Sequence, residues 1–320
     1  MLLTRSIFRA LPAALISIAF FEVTAVLHQA NTVEIATESV SDILKTITIP
    51  PCPAVVAALQ EESRRPEADF HKIIRLISGD LGLAASMMKT ANSPYFGLRK
   101  KVQSVSQASA VLGLKNVINI VNGLTLQRSL STQGASMEGF WKRSNHHAMI
   151  SAHLARRIPG LSQEDAYSFG LFHDCGIPIL MQRFPGYQHT LALASRSSRP
   201  MWELENECHG TDHVVVGVML ARNWQLPAVL VQAIRLHHHF DILSDESPNG
   251  QDISDTVRSL TAISLLADHL IARFLGVQDE IEWLAHGTSA LNYLSFDEEE
   301  VEDLRCEINE ELSAVEAGHG

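Results

Sequence analysis

The amino-acid sequence predicts an all-α protein, and three observations lead to that prediction. Aromatic residues make up only 6% of the 320 residues, whereas hydrophobic residues, chiefly Leu, Ala, Ile and Val, make up 46%. Apolar residues recur at three- and four-residue spacing along most of the chain, as on the buried face of a helix. The strict alternation of a half-buried β-strand is scarce. A chain of this length and apolar content can bury a large core, so we exclude wholesale disorder.

The first strongly periodic helices are expected in the first half of the chain. Apolar positions over 70–77 lie on one helix face, and Gly79 interrupts the pattern. The same spacing resumes over 83–88 and predicts a second helix. A helix pair is predicted over 105–126, with its turn at Gly113.

The second half of the chain is also expected to be helical. One helix is predicted over 144–158 and ends at Pro159, since proline lacks the N–H donor that a continuing helix needs. Ser162 is expected to cap a helix over 163–172, with Asp165 at the third helical position. Apolar spacing predicts further helices at about 186–196, 200–208, 212–223, 227–239, 254–275 and 278–315.

A polar stretch divides the predicted helices into two lobes. Residues 129–139 are rich in Ser, Thr, Gln and Gly, which is typical of a linker. We therefore predict one domain over 42–275, with a first helical lobe at about 42–128 and a second at about 140–275. The predicted flanks are an N-terminal extension over 1–41, and an acidic C-terminal helix and tail over 276–320.

The N-terminal extension contains an apolar run, Leu11 to Phe21, preceded by Arg5 and Arg9. The run is too short to span a bilayer as a helix and ends at Glu22, so we expect no stable membrane span. An amphipathic or buried helix is the preferred interpretation, and a cleaved secretory signal is the minor alternative. The four cysteines lie far apart without a CxxC pair, which argues against a disulfide framework and favours a reducing, cytoplasmic location.

Negative charge is concentrated at the C-terminus. Ten acidic residues and one arginine follow Phe296, a net charge of −9 out of −11, so residues 1–296 carry only −2. Nucleic-acid-binding proteins rely on broad basic surfaces, and the short basic run Arg99–Lys101 does not provide one, so we expect no nucleic-acid partner. Helical spacing of apolar residues in the acidic segment predicts an amphipathic helix, whose apolar stripe packs on the body of the protein in the preferred interpretation and on a partner in the alternative. These residues are Val301, Leu304, Ile308, Leu312 and Val315.

Histidine clustering gives the first sign of chemistry. The chain has fifteen histidines, and eleven of them lie between His146 and His269. Several are adjacent in sequence to an aspartate or to another histidine. These runs are His173-Asp174, Asp212-His213, His237-His238-His239 and Asp268-His269. Imidazole and carboxylate groups that converge from several helices can bind a divalent cation. The alternative is structural: a histidine at a helix end held by a carboxylate, or a solvated helix end for the histidine run.

Several segments occur in an order typical of one known family. They are Ile49–Val55 (IPPCPAV), Ile77–Leu83 (ISGDLGL), Lys89–Gly97 (KTANSPYFG), Val105–Ala108 with Val111–Leu114, Phe140–Ser144 (FWKRS), Gly170–Gly176 (GLFHDCG), Asp212–Gly217 (DHVVVG) and Trp224–Pro227 (WQLP). On these segments the chain resembles the HDOD domain, a branch of the HD superfamily of helical metal-dependent phosphohydrolases. The resemblance implies a two-lobed all-α fold with an HD-like helical bundle as the second lobe. It also implies a signalling or regulatory role in bacteria, usually without demonstrated hydrolysis.

The resemblance also implies a metal site, from whose catalytic form this chain departs. The residues that match the ligand pattern are His173, Asp174, Asp268, His213, His237 and His238. The first histidine of the pattern is expected in a Phe-Trp-x-x-Ser context, where this chain has Arg143, and a guanidinium cannot ligate a cation. His146 and His147 lie three and four residues further on, on roughly the same helical face, as candidate substitutes. Ile177 stands where the phosphodiesterase branch has a lysine, and an aliphatic side chain cannot hold a phosphate.

Two functions remain open from the sequence. The preferred hypothesis is a non-catalytic signalling protein that binds a protein partner, or a small ligand, without a cofactor. In it Arg143 forms a structural ion pair with Asp174 in place of a metal, and His146, His147 and His153 are ordinary surface or interface residues. The alternative is a phosphohydrolase in which iron, manganese or zinc activates water for attack on phosphoesters such as nucleotides or cyclic dinucleotides. A homodimer is compatible with either.

Overall fold

The computed structural model describes residues 42–93, 96, 98, 100–130, 135–244, 253–277 and 281–317. The chain divides into two units, Met1–Ile47 and Thr48–Gly320. In the first unit residues 42–46 are helical. The predictions made for residues 1–41 lie outside the described residues. None of the described helices is both long enough and apolar enough to cross a membrane.

The second unit is helical and has no strand among its described residues, which confirms the all-α prediction. Its helices are α1 (Ala54–Ser63), α2 (Phe70–Ser78), α3 (Leu81–Ala91), α4 (Val105–Leu112), α5 (Leu114–Leu130), α6 (Ala135–Ala155), α7 (Gln163–Phe172), α8 (Gly176–Arg183), α9 (Tyr187–Ala194), α10 (Met201–His209), α11 (His213–Asn223), α12 (Ala228–Leu236), α13 (Asp255–Leu275), α14 (Ile281–Leu294) and α15 (Glu298–Ala317). A short 3-10 helix over Phe240–Leu243 follows α12.

Helices α1 to α5 pack around an apolar core. Two of them follow aspartates, Asp69 and Asp80, whose carboxylates accept hydrogen bonds from backbone N–H groups of the first turn, donors that a helix start leaves free. Gly113, with φ +81°, ends α4 and lets α5 begin directly after it, so the predicted helix pair is confirmed. Core residues include Leu59, Ile73, Ile77, Leu83, Met87, Ala91, Val117 and Val121.

The close packing of α6 and α7 places the end of one helix beside the middle of the other. Gly170 permits the approach, because a Cβ atom there would lie 2.8 Å from both the Cα atom of Ala148 and Nδ1 of His147. The predicted cap of α7 is also confirmed, since the backbone N–H of Asp165 donates to Oγ of Ser162 at 3.2 Å. The C-terminal end of α7 therefore lies against α6 around His147.

A second close contact lies between α8 and α11. A Cβ atom at Gly176, the first residue of α8, would lie 2.0 Å from the carbonyl oxygen of His213 and 2.9 Å from the backbone nitrogen of Gly217. Real side chains do not fit at such distances unless the backbone moves. The absence of a side chain at Gly176 therefore sets the distance between the α7–α8 turn and the start of α11.

The structure corrects several predicted boundaries. Helix α6 begins at Ala135 rather than at 144, so residues 129–130 and 135–139 of the predicted linker are helical. Helix α12 ends at Leu236 rather than at 239. Helix α8 was not predicted, and the five residues over 176–180 are all buried, so no alternation of polar and apolar faces marks its period.

The segment predicted as one helix over 278–315 forms two helices, α14 and α15. Between them Ser295 adopts a left-handed backbone with φ +59°. Asp297 and Glu300 then form a reciprocal cap: the Glu300 N–H donates to Asp297 Oδ1 at 2.8 Å, and the Asp297 N–H donates to Glu300 Oε2 at 2.9 Å. This pair satisfies two donors and favours a new helix start over continuation.

The acidic helix α15 packs on α13 and contacts α6. Three residues of its predicted apolar stripe are buried, namely Leu304, Ile308 and Leu312. The ring nitrogens Nε2 and Nδ1 of His153 lie 3.0 Å from Glu307 Oε2 and 3.1 Å from Glu311 Oε1. Arg157 donates to Glu307 Oε1 at 2.7 Å. The prediction that the acidic helix packs on the body is confirmed, and His153 is an interface residue.

Candidate metal centre

Seven side chains of the second unit meet in two adjacent groups. In each group one potential ligand atom per residue lies within 4.8 Å of all the others. The first cluster consists of His147, His173 and Asp268. The second cluster consists of Asp174, His213, His237 and His238. The six residues that match the ligand pattern in the sequence therefore all belong to one of the two clusters, and His147 is a seventh member.

Helix ends position several of these side chains. His173 and His237 are the C-terminal caps of α7 and α12. His213 is the first residue of α11 and follows Asp212, whose carboxylate caps that helix by accepting a backbone hydrogen bond at 2.8 Å. Three short helices thus end or begin at the same place. The other two members of the first cluster come from helix interiors, His147 from α6 and Asp268 from α13.

Asp174 lies between the two clusters, with one oxygen towards each. Its Oδ2 lies 3.2 Å from Nε2 of His173 in the first cluster. Its Oδ1 lies 3.5 Å from Nε2 of His213 and 3.6 Å from Nε2 of His237 in the second. A carboxylate with two oxygens in this arrangement can ligate two cations at once.

Backbone carbonyls orient one histidine of each cluster. Nδ1 of His173 lies 2.8 Å from the carbonyl oxygen of Gly170, and Nδ1 of His237 lies 2.7 Å from that of Ile234. A carbonyl oxygen only accepts hydrogen bonds, so each Nδ1 carries a hydrogen. In the neutral ring Nε2 then has a lone pair, which points into the cluster.

Carboxylates orient the other two histidines of the second cluster. Nδ1 of His213 donates to Glu205 Oε2 at 2.5 Å, and Nδ1 of His238 donates to Glu282 Oε2 at 2.9 Å. Glu205 is fully buried and also accepts hydrogen bonds from the backbone N–H of His213, at 3.1 Å, and from the hydroxyl of Tyr187. A carboxylate behind a ligating imidazole fixes the ring and increases its basicity. Sequence analysis missed both glutamates, since nothing distinguishes them from solvated helical charges.

The residues fit a divalent cation. Nε2 of His173 and Nε2 of His237 are buried and have no hydrogen-bond partner. Nε2 of His213 lies 3.0 Å from Nε2 of His238, where two lone pairs repel unless a proton or a cation lies between them. Imidazole nitrogen and carboxylate oxygen are the donors that zinc, iron and manganese accept.

Burial and neighbouring charges set the protonation of the second cluster. Burial, together with the neighbouring imidazoles, lowers the pKa of His237 to about 4 and that of His238 to about 3. Burial also opposes the charged form of His213, but Glu205 and Asp174 outweigh it and raise its pKa to about 9. Burial likewise opposes ionisation of Asp174, whose pKa is nevertheless well below its usual value because of His173 and the other adjacent imidazoles. The cluster therefore offers an ionised carboxylate and two neutral imidazoles, those of His237 and His238, whereas His213 is protonated at neutral pH and must release a proton before it can ligate a cation.

The first cluster contains a basic side chain beside its ligand groups. Nη2 of Arg143 lies 2.8 Å from Oδ1 of Asp268, whereas sequence analysis placed this arginine beside Asp174. His147, one helical turn after Arg143, is fully buried, stacks on His173 with ring centroids 4.0 Å apart, and has Nε2 3.9 Å from Asp268 Oδ1. His147 is thus not an ordinary surface residue, and its imidazole lies in the first cluster, one helical turn from the position where the pattern expects a histidine.

Other histidines considered in the sequence lie elsewhere. His146 is buried against Phe274, with ring centroids 5.9 Å apart. His269 stacks on Trp283 with ring centroids 3.9 Å apart. Of the three consecutive histidines only His239 is exposed, so the solvated helix end predicted as an alternative applies to that residue alone.

Comparison with known families identifies the fold to which this site belongs. Residues 49–240 match the HDOD domain. The chain belongs to the HDOD domain family. An uncharacterized protein from Treponema pallidum (strain Nichols) is 24% identical over 200 residues, which make up 62% of this chain and 39% of that protein. The chain thus spans about two fifths of that relative's length.

Solved structures share the fold of this HDOD protein. An HDOD domain protein with unknown function from Geobacter sulfurreducens has a TM-score of 0.69 at 20% identity, over 89% of this chain and 99% of that one. A protein from Shewanella amazonensis SB2B, provisionally named a phosphohydrolase, has a TM-score of 0.64 at 18% identity, over 88% and 97% of the two chains. At these identities the likeness establishes the fold. The HDOD match ends before Asp268 and Glu282, so both residues lie downstream of it.

Proposed function

We propose that this HDOD protein binds two divalent metal ions in its two clusters and hydrolyses a phosphoester. One observation carries the proposal: Nε2 atoms of buried imidazoles converge on two carboxylates, while Nδ1 of each ring is held from behind. Buried polar atoms without hydrogen-bond partners are costly, and a cation satisfies all of them together.

Each cluster supplies the ligands of one ion, and Asp174 serves both. The first ion would be held by His147, His173 and Asp268, and the second by His213, His237 and His238. Asp174 would contribute to both sites, since its Oδ2 faces His173 of the first cluster and its Oδ1 faces His213 of the second. Iron, manganese and zinc all accept such mixed nitrogen and oxygen ligands.

Bound divalent cations polarise a phosphoester oxygen and lower the pKa of a water molecule. The protein contributes orientation and access. Carboxylate side chains at the centre retain some solvent exposure, 21% for Asp174 and 18% for Asp268, whereas His147 and His173 are almost fully buried. A phosphoester therefore approaches the centre from the side of Asp174, Asp268 and the 17% exposed His238, and the buried imidazoles of His147 and His173 hold the opposite side rigid.

Metal analysis of protein produced without a histidine tag tests the proposal. We expect about two metal ions per chain, the number typical of two-metal hydrolytic centres. His173→Ala combined with Asp174→Ala should remove them. His239→Ala is the matched control, because His239 adjoins His238 but is exposed and belongs to neither cluster.

Activity is then measured on the metal-loaded protein with a phosphomonoester, a phosphodiester and a cyclic dinucleotide. Turnover that requires the metal, persists in His239→Ala and is absent from the double variant would support the proposal. Protein that remains metal-free after incubation with iron, manganese and zinc, and hydrolyses none of these substrates, would contradict it.

A second candidate function is favoured by the ion pair of Arg143 with Asp268 and by Ile177. In that proposal the chain is a non-catalytic signalling protein that binds a protein partner or a small ligand. The guanidinium neutralises Asp268 without a metal, and Ile177 offers no phosphate contact. Wild-type protein without metal, combined with unchanged thermal stability on adding metal, is the result expected from this second function.

A further inference from the structure

Arg143 and the ligand groups of the first cluster share one carboxylate oxygen. Oδ1 of Asp268 lies 2.8 Å from Nη2 of Arg143 and 3.9 Å from Nε2 of His147. Arg143 and His147 are four residues apart on α6, so both side chains lie on one face of that helix. An oxygen that pairs with the guanidinium is less available to a cation held by His147.

The guanidinium lies on the accessible side of the first cluster. The side chain of Arg143 is 33% exposed to solvent and that of Asp268 is 18% exposed, while His147 is fully buried behind them. A molecule that approaches the cluster from solvent therefore meets the arginine before it meets the imidazoles. Guanidinium groups are well suited to such a position, because their planar N–H donors match the oxygens of a phosphate.

We propose that Arg143 is the phosphate-contacting residue of this centre, and that in the metal-free protein its pairing with Asp268 competes with metal binding. This inference rests on the proposed function. With Asp268 engaged as a metal ligand, the guanidinium of Arg143 would leave that carboxylate and donate to the phosphate oxygens of the substrate. It thereby supplies the positive charge that Ile177, an aliphatic residue of α8, does not provide.

The two roles of Arg143 predict effects of opposite sign. As a positive charge beside the first cluster, it weakens the binding of a cation there. As a donor to phosphate, it strengthens the binding of an anion. A purely structural arginine would not produce this pair of effects, because loss of a structural residue weakens both kinds of binding together.

The test compares Arg143→Met and Arg143→Lys with wild-type protein. Lys142→Met is the matched control, since Lys142 is the preceding, exposed residue of α6. Calorimetry measures the affinity of metal-free protein for Mn²⁺, and then the affinity of Mn²⁺-loaded protein for inorganic phosphate. Circular dichroism on heating verifies that each variant is folded.

We expect Arg143→Met to bind Mn²⁺ on the order of tenfold more tightly at the first cluster. Its affinity for phosphate should fall about 10- to 100-fold, the loss typical of a charged hydrogen bond. Arg143→Lys keeps the charge but loses the planar donor geometry, so its Mn²⁺ affinity should stay near wild type while phosphate affinity still falls. Lys142→Met should match wild type in both measurements.

Each failure has a separate meaning. Unchanged or weaker Mn²⁺ binding in a folded Arg143→Met variant would overturn the competition, and unchanged phosphate affinity would overturn the phosphate contact. Wild-type protein that binds no Mn²⁺ would contradict the proposed function instead. In that case a gain of Mn²⁺ binding in Arg143→Met would still support competition by Arg143, and no gain would overturn it.

Discussion

The two clusters use the same kinds of ligand but hold them differently. In the second cluster two imidazoles are anchored by carboxylates, His213 by Glu205 and His238 by Glu282. In the first cluster His147 contacts the hydroxyl of Ser151 at 3.2 Å. The first cluster alone also has a guanidinium paired with one of its ligand groups. The donor set of a site therefore does not determine its affinity, which depends equally on the groups behind the donors.

This difference predicts an order of occupation. Carboxylate partners increase the basicity of the imidazoles and fix their direction, so the second cluster is already arranged for a cation. The first cluster must separate an ion pair between Arg143 and Asp268 before both oxygens of that carboxylate are available. We expect the second cluster to take up metal first and more tightly.

The largest effect should follow from removing Asp174, the residue between the clusters. Asp174→Ala is expected to lower metal content from about two ions per chain to nearly none, because both ions lose a ligand and its charge. His238→Ala should affect mainly the ion of the second cluster. Elemental analysis of purified protein distinguishes the two variants. Equal metal loss in both would show that the clusters do not bind separate ions.

The next effect concerns the glycine between α8 and α11. Gly176→Ala places a methyl group against a backbone carbonyl of α11, so we expect destabilisation of about 3 kcal/mol, at the upper end of overpacking costs. Denaturant unfolding of metal-free protein measures it. Gly139→Ala is the control, because a Cβ at Gly139 of α6 meets no atom within 4 Å and helical alanine is favoured over glycine. Equal stability of the two variants would contradict the tight crossing.

A smaller effect should follow from neutralising the carboxylate behind His238. Burial raises the pKa of Glu282 to about 7, so the comparison is made at a pH well above that value. There Glu282→Gln keeps the shape of the side chain but removes its charge, and we expect the second cluster to bind metal about 10- to 100-fold more weakly. The metal affinity of the first cluster should change little, so the variant should alter the difference in affinity between the two clusters. Competition with a chelator of known affinity measures both sites. Glu310→Gln, an exposed change on α15, is the control, and an effect as large as that of Glu282→Gln would refute the assigned role.

The smallest effect is expected where α15 contacts the C-terminal end of α6, away from the first cluster. Partial burial opposes ionisation of Glu307, but Arg157 and His153 outweigh it and keep the pKa of this carboxyl below its ordinary 4.5. Its stabilisation is therefore complete above about pH 4.5 and is lost as the pH falls through the lower folded-state pKa. Glu307 is half exposed and screened by water, so Arg157→Gln should cost less than about 1 kcal/mol at pH 7.

Thermal unfolding of metal-free protein at pH 7 and pH 3 tests this dependence. The difference between Arg157→Gln and wild type should be smaller at pH 3 than at pH 7, because protonation of Glu307 as the pH falls removes the charge with which Arg157 pairs. Arg156→Gln is the control, since Arg156 donates to Gln163 rather than to a carboxylate. A difference that is the same at both pH values would exclude the ion pair as its cause.

Sequence reasoning succeeded where local chemistry determines the outcome. Ser162 and Gly113 set helix boundaries through capping and backbone freedom, so α7 and the α4–α5 pair are observed at the expected places. The cap formed by Asp297 and Glu300 is local as well, but it lies among many other acidic residues and was not distinguished from them. The first five residues of helix α8 are all buried, so that part of the helix has no polar face from which to read a period.

Tertiary contacts determine the parts of the site that sequence reasoning missed. Two residues on α6, Arg143 and His147, lie on the same face, and only the packing of α6 against α7 decides which of them reaches His173. Glu205 and Glu282 resemble ordinary helical charges until their helices pack against the histidines. The sequence motifs identified the candidate metal ligands, but they carried no information about the glutamates that hydrogen-bond to those ligands.

Glu282 reaches its histidine from α14, a helix beyond the stretch by which the family is recognised. The segment that matches the family, residues 49–240, therefore ends before the last residue that orients a histidine of the second cluster. Two family members with equally good matches can differ in how firmly one ion is held, simply because different helices follow the shared part. Exchange of that downstream helix offers a way to retune the centre without altering a single ligand.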